Sequence, residues 1–492
     1  MVLLGLIFIP VVMGLLALVL RHDASRRLLL PVTAVIHSAL TASAWFDAPG
    51  PVWGGWLLLD GLGLLFLSIT SALFLVASFY AVGYLGKEDR GQRQDFQEGV
   101  IFSNAPEAAF VACLLFFLAS MTLVTLCQHF GLLWVGVEAT TLASAPLIYF
   151  HRHRRSLEAT WKYLMICSVG IALALMGYLL LAIAVPETPG TGVPMVVSEL
   201  MRLGTSLHTV WLKAAFIFFL VGYGTKMGLA PLHTWLPDAH SESPSVVSAL
   251  LSGALLNCAF LAILRPLQVL SAAGEGPFGR ELLVFFGLLS MAVAAIFILG
   301  QEDYKRMLAY SSVEHMGIIS LGVGIGGGAA FGAMLHAVNH SFVKGMLFMV
   351  TGNILAAYKT KNTRKVQGML RLIPVTGVLW VLGFLAITGS PPFGPFLSEF
   401  TVLKGMLDTG HTTAAVMYLL LLAIIFIGMT SVVLKMSQGA PSEAHQSMAS
   451  REIYATVIPP ALLAVAVTVL GVYVPLPLQA LLHNAASLLG GS

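Results

Sequence analysis

An all-α polytopic membrane fold is what this sequence predicts, and three observations lead to it. Of 492 residues, 58% are hydrophobic and only 10% are Asp, Glu, Lys or Arg; an ordinary soluble domain has roughly 25% charged residues. The apolar residues fall in runs of about 20 or more, long enough to cross a bilayer as helices. Most of the charge lies between the runs.

The first run, MVLLGLIFIPVVMGLLALVL, has no basic leader and is long enough to span, so it reads as a retained helix rather than a cleaved signal. Further runs lie near 28–46, 57–85, 107–127, 129–150, 158–185, 207–236, 245–270, 281–300, 306–326, 328–357, 373–406, 413–436 and 453–481, which makes about fourteen transmembrane helices. They divide into three N-terminal helices (1–106), a first five-helix repeat of helices 4–8 (107–270), a second of helices 9–13 (271–436), and a C-terminal part with helix fourteen (437–492). No soluble domain fits between them.

Lysine and arginine crowd the loops after odd-numbered helices, from Arg21, Arg26, Arg27, Lys87 and Arg90 to Lys305, Arg306, Lys361, Lys435 and Arg451. Loops after even-numbered helices hold only Arg202, Lys213, Arg265 and Arg280. The positive-inside rule puts the first set in the cytoplasm, with the chain in the cytoplasmic (inner) membrane and both termini on the outer face. Cys113, Cys127, Cys167 and Cys258 are scattered and form no CxxC pair. There is no Walker motif and no GxGxxG after a strand. The chain is therefore expected to hold no metal and no redox or nucleotide cofactor, and nothing suggests nucleic acid as a partner.

Four lysines fall inside or at the ends of apolar runs: Lys162, Lys226, Lys344 and Lys404. A charge at mid-membrane costs at least ~2.5 kcal/mol, and lysine, unlike arginine, can release its proton when buried. Lys226 and Lys344 are read as functional, whereas Lys162 and Lys404 fit snorkelling toward the helix ends equally well. Glu138 and Glu399 have no sequence-local charge partner, and each is expected to find one on another helix. Two helices are interrupted. Gly228 and Pro231 follow Lys226 in helix seven, with His233 beside them; Gly389, Pro391 and Pro392 precede Glu399 in helix twelve. Free backbone carbonyls at such breaks survive in a membrane only where they line a hydrated interior. Paired broken helices in two halves point to an inverted-repeat transporter and its site.

Helix eleven carries His336, His340 and Lys344 at i, i+4 and i+8 on one face, which reads as a proton wire. A metal reading is weaker, because the histidine pair lacks an acidic third ligand. Glu314 and His315, taken as the start of helix ten, would feed the stripe from the cytoplasmic side.

The phrases DGLGLLFL, GVEATTLASAPLIYF, KMGLAPLHTWLPDAHSESPS, RMLAYSSVEHMG, HAVNHSFVKGMLF and SPPFGPFLSEF together resemble the antiporter-like subunits shared by respiratory complex I, Mrp-type cation/proton antiporters and group 4 membrane-bound hydrogenases. Within that family, VEATTLASAPLIYFHR and ALLSGALLNCAFLAILR are most similar to the hydrogenase-4 component F group. The resemblance implies that Glu138 and Lys226 are the family's helix-five acid and helix-seven lysine, a pair that modulates the lysine's protonation. His336, His340 and Lys344 would be its helix-eleven relay, and Glu399 its terminal acid. One position departs: Asn257 stands in helix eight where the family often has lysine or histidine, so the central relay would rest on water there.

The resemblance further implies a proton-translocating (or Na+/H+) subunit of a membrane-bound oxidoreductase complex of hydrogenase-4 or formate hydrogenlyase type, not catalytic alone. Other membrane subunits and a peripheral redox module carrying Fe–S and Ni–Fe centres would be its partners, within the lipid bilayer. Two alternatives stay open at this level: an Mrp-type secondary antiporter subunit without a redox partner, and a non-pumping membrane anchor.

Overall fold

The computed structural model describes residues 1–88, 91–94, 99, 101–186, 195–441 and 452–489. Arg90 and Arg451, both counted above among the cytoplasmic charges, lie outside the described residues.

Among the described residues, thirteen helices are long and apolar enough to cross a membrane. A further crossing is made of two short pieces. In chain order they are α1 (Val2–Val19), α2 (Asp23–Phe46), α3 (Gly61–Lys87), α4 (Glu107–Leu126), α5 (Phe130–Ile148) and α6 (Arg154–Ala184). Then come α7 (Thr209–Met227, continued after a break by Trp235–Glu242), α8 (Ser245–Ala272), α9 (Gly276–Ile298), α10 (Tyr304–Ile325) and α11 (Gly327–Tyr358). The set ends with α12 (Pro374–Ile387, continued by Gly394–Asp408), α13 (Thr412–Ser437) and α14 (Tyr454–Val472). The one regular pairing of strands is a two-residue antiparallel ladder of Arg93–Gln94 with Ile101–Phe102, among the described residues.

Burial sorts the helices. The apolar windows of α8 and α10 are buried along their whole length, whereas those of α1, α6 and α13 are only 28%, 33% and 33% buried, as in lipid-facing helices. The 32-residue α11 packs against α3, α8, α10, both pieces of α12 and α14, so it runs through the centre. Four crossings, α5 to α8, lie between α4 and α9. Because successive crossings alternate in direction, the sets α4–α8 and α9–α13 run in opposite senses.

Both expected breaks are present. The first piece of α7 stops at Gly228, whose φ of 84° lies in the left-handed region that glycine enters without penalty. The Thr225 carbonyl is taken up by Trp235 Nε1 at 2.8 Å, and the Ala230 amide by Ser290 Oγ at 2.9 Å. These bonds satisfy the opened turn inside the protein. In α12, Gly389 has φ 64°, and a side-chain carbon there would overlap Glu399 Oε2. Glycine is what lets the carboxylate fold back over the break.

Three expectations need correction. Helix fourteen does not reach residue 481: α14 ends at Val472, and a separate helix, Leu476–Ser487, begins beside Pro475 and packs on α3 and α11. Pro475 cannot donate the amide that would continue the turn. Arg265 is not a loop charge. It sits in α8, 0% exposed, with Nη1 and Nη2 on the two Asp60 oxygens at 2.5 and 2.8 Å. Lys305 and Lys361 are not solvated loop charges either: both are buried, with Lys305 Nζ on the Ser243 carbonyl (2.6 Å) and Lys361 Nζ on Glu242 (2.8 Å).

Candidate functional site: a buried polar axis

Lys226 is the last residue but one of the first piece of α7 and is fully buried. Its Nζ donates to Thr141 Oγ1 at 2.8 Å and to the Tyr163 hydroxyl, and it sits 4.4 Å from the Tyr163 ring centroid. Thr141 in turn donates to Glu138 Oε2 at 3.0 Å. Among the described residues, no direct ion pair joins Glu138 to Lys226. This corrects the expected pair: Glu138 is half-buried, and its partner is a hydroxyl three residues along its own helix.

The hydroxyls are oriented by what they already bond. Ser144 donates to the Thr140 carbonyl (2.6 Å), so at 2.7 Å it accepts from Tyr163, whose oxygen lone pairs then face the lysine. Thr141 has one proton and gives it to Glu138, so it too can only accept from Lys226. Protonation of Glu138 would free that proton, and the hydroxyl could turn and donate to a neutral amine. Thr141 is thus the hydroxyl that joins Glu138 to Lys226.

The second half is built around α10, α11 and α12. Lys344 is fully buried, with Nζ on the Leu308 carbonyl at 2.7 Å, and lies in electrostatic range of the buried Glu314. Glu314 and His315 lie in the middle of α10 rather than at its start, because the helix begins at Tyr304. Glu314 Oε2 is 4.0 Å from His315 Nε2. His315 Nδ1 meets His336 Nε2 at 2.9 Å, and His336 Nδ1 meets Ser398 Oγ at 2.8 Å, next to Glu399. The stripe on α11 is therefore not a direct wire. His336 connects across to α10 and α12, while the His340 ring lies tilted with its centroid 5.3 Å from that of His315 and has neither ring nitrogen hydrogen-bonded among the described residues.

Between the halves, Asn257 follows a π-helical turn over Leu251–Leu255 and donates from Nδ2 to Ser341 Oγ at 2.7 Å and to the Gly253 carbonyl at 3.0 Å. Its Oδ1 is buried without a partner among the described residues, as is each ring nitrogen of His240. His240 stacks on Phe348 at 5.0 Å and lies in electrostatic range of Lys305 and Lys344. Orphaned buried polar atoms of this kind are the usual sites of ordered water. Asn257→Leu is expected to change stability by only about 1 kcal/mol, because Ser341 keeps its bond to the Ala337 carbonyl. It should nevertheless lower proton movement per turnover several-fold, and Asn257→Lys should restore part of it. Equal movement by Asn257→Leu and the parent would show that no water chain passes there.

Of the accessory candidates, Lys162 is 45% exposed and bonded to Glu158 (2.7 Å) and Asp238 (2.9 Å), and Lys404 is 66% exposed on Asp408 (2.6 Å); neither is on the axis. His233 sits in the α7 break beside Phe297 and Tyr310. Sequence reading missed Thr141, Tyr163, His240, Lys305 and Ser398. Only Lys305 and His240, as ionisable residues bordering apolar runs, carried a signal. At the end where the basic loops gather, a cavity of about 680 Å³ is lined by Lys87, Glu242, Ser243, Lys305 and Lys361.

Residues 127–426, which hold every group on this axis, match the family described as NADH:quinone oxidoreductase/Mrp antiporter, TM. The chain belongs to that family. It is an antiporter-like membrane subunit, related by sequence over most of its length to a hydrogenase-4 component F homolog of Methylacidiphilum infernorum, with 37% identity over 429 residues and 86% of each chain covered. It is 26% identical to hydrogenase-4 component B of Escherichia coli over 78% of its own length, but spans only 56% of that longer relative. Its fold matches a chain of the membrane-bound sulfane sulfur reductase, an archaeal respiratory membrane complex, with a TM-score of 0.85 at 20% identity, covering 99% of this chain and 97% of that one.

Proposed function

We propose that this antiporter-like subunit translocates protons, or exchanges sodium for protons, within a hydrogenase-4-like oxidoreductase complex, coupling redox chemistry to ion movement. The observation that carries the reading is the pair of interior polar clusters, Thr141 and Lys226 with half-buried Glu138 in one half, and His315, His336 and Ser398 beside Glu399 in the other. So many polar groups inside an apolar bundle cost free energy, and a retained cost of this kind points to function. Likeness to component F over both chain lengths favours a redox complex over a free antiporter.

In this reading cytoplasmic protons reach the axis beside Lys226 and through the cavity at Lys305. His240 and the Asn257–Ser341 contact bridge to Lys344 through water. Glu314, His315 and His336 then hand protons to Glu399, which releases them on the far side. This chain binds no redox cofactor. A peripheral module supplies the electrons through Fe–S and Ni–Fe centres of its own, and neighbouring membrane subunits dock on the lipid-exposed helix faces.

Mass spectrometry and metal analysis of the complex isolated from native membranes test this. Other antiporter-like or anchoring membrane subunits and at least one subunit with Fe–S or Ni–Fe content are expected. The purified chain alone should show no hydrogenase, formate or NADH activity. An isolate with no redox subunit would overturn the assignment to an oxidoreductase.

A further inference from the structure

We propose that His315, His336 and Glu399 form a binding site for a divalent transition-metal ion of the zinc class. One ligand atom from each of the three lies within 4.8 Å of the other two, and the residues are 0%, 0% and 6% exposed. The acidic third ligand, absent from the sequence around the histidines, is brought in by α12. His336 is already arranged as a ligand: Ser398 Oγ holds its Nδ1 at 2.8 Å, and Nε2 is left facing His315. A second ring nitrogen tied in this way is the usual support of a metal-bound histidine. The two facing nitrogens are 2.9 Å apart. Tetrahedral zinc with bonds of about 2.0–2.1 Å sets its ligands about 3.3 Å apart, so the rings need to part by only a few tenths of an ångström and the carboxylate to turn inward.

Several neighbouring groups await a partner. Glu399 Oε1, His315 Nε2 and Glu314 Oε2 are buried with no hydrogen bond among the described residues. Of these, Glu399 Oε1 belongs to a ligand of the site, and a buried carboxylate oxygen without a partner calls for water or an ion. Two carboxylates, Glu399 and Glu314, balance a 2+ charge, and Glu314 Oε2 lies 4.0 Å from His315. Two imidazoles per site select zinc, copper or nickel over sodium, magnesium or calcium, which prefer oxygen. A bound ion would replace the proton shared by His315 and His336 and so block the axis. The site itself depends only on its donors and stands whether or not protons move along this route.

Zinc sulfate is the probe. The native complex is incubated with it, washed, and its zinc counted by elemental mass spectrometry; zinc K-edge absorption reports the ligands. The wild-type complex should keep one more zinc per chain than the Glu399→Gln and His336→Gln complexes, with two imidazole nitrogens in the absorption spectrum. Lys226→Ala, whose lysine lies in the other half, should keep the wild-type count. Equal zinc in wild type, Glu399→Gln and His336→Gln, or a spectrum without imidazole, would overturn the proposal. If His336→Gln fails to assemble, the near-isosteric Glu399→Gln and the wild-type spectrum decide.

Discussion

Vesicles carrying the Lys226→Arg complex are expected to lose coupled proton movement by on the order of 10²-fold, the scale of one well-placed proton-transfer group, while the complex still assembles. Lys226→Ala should lose as much. The arginine result is the informative one. Arginine keeps the positive charge beside Thr141 and Tyr163 but cannot release its proton. A purely structural cation would tolerate the exchange, and a proton station would not. Thr141→Val should give a milder loss, because it removes the hydroxyl between Glu138 and Lys226 and leaves both ionisable groups in place. The energies are compatible: moving one charge against 100 mV takes about 2.3 kcal/mol, and a lysine swung by two pKa units supplies about 2.7 kcal/mol. Full pumping by Lys226→Arg would remove Lys226 from the pathway.

Asp60→Asn should be the most damaging single change to stability, at about 3–5 kcal/mol. Asparagine can still cap α3 through Gly63, as Asp60 Oδ1 does at 2.8 Å. The cost comes from Arg265, which is wholly buried and would lose its counter-charge. Asp60→Asn combined with Arg265→Met should recover most of the loss, because a pair removed together leaves no orphaned charge. Thermal unfolding of the detergent-purified complex measures both. The pair also sets a pH dependence. Burial pushes the Asp60 carboxyl up, but the Arg265 guanidinium and its hydrogen bonds outweigh burial and hold it below the ordinary value. Its contribution is therefore fully present above the unfolded aspartate pKa of about 3.9 and is lost as pH falls through the lower folded value. No added stability from the double variant over Asp60→Asn would sink this account of the pair.

The helices were legible because apolar runs of bilayer length have few other readings, and the two breaks because Gly228, Pro231, Gly389, Pro391 and Pro392 interrupt such runs. Lys226, Lys344 and Glu399 stood out as charges where charge is costly. The hydroxyls that bond to these ionisable groups did not stand out: Thr141, Tyr163 and Ser398 look like any polar residue in a membrane helix until their partners are known. Arg265 was misplaced because an arginine near a helix end ordinarily snorkels outward, and the aspartate that holds it inward is 205 residues away in sequence. Lys305 was misplaced for a similar reason. It is the second residue of α10, beside a basic loop, yet its amine turns inward to the Ser243 carbonyl. Glu399 and the histidines lie on different helices, so only packing could reveal the three-ligand cluster.

The central claim is that this chain carries ions across the membrane when its complex turns over. The direct measurement is proton release during turnover by the native complex in sealed vesicles, with wild-type and Lys226→Arg chains side by side and a protonophore as control. The account predicts a pH change with the wild type that the protonophore collapses, and none with Lys226→Arg at comparable electron transfer. Wild-type turnover at full rate with no movement of protons or sodium would contradict it.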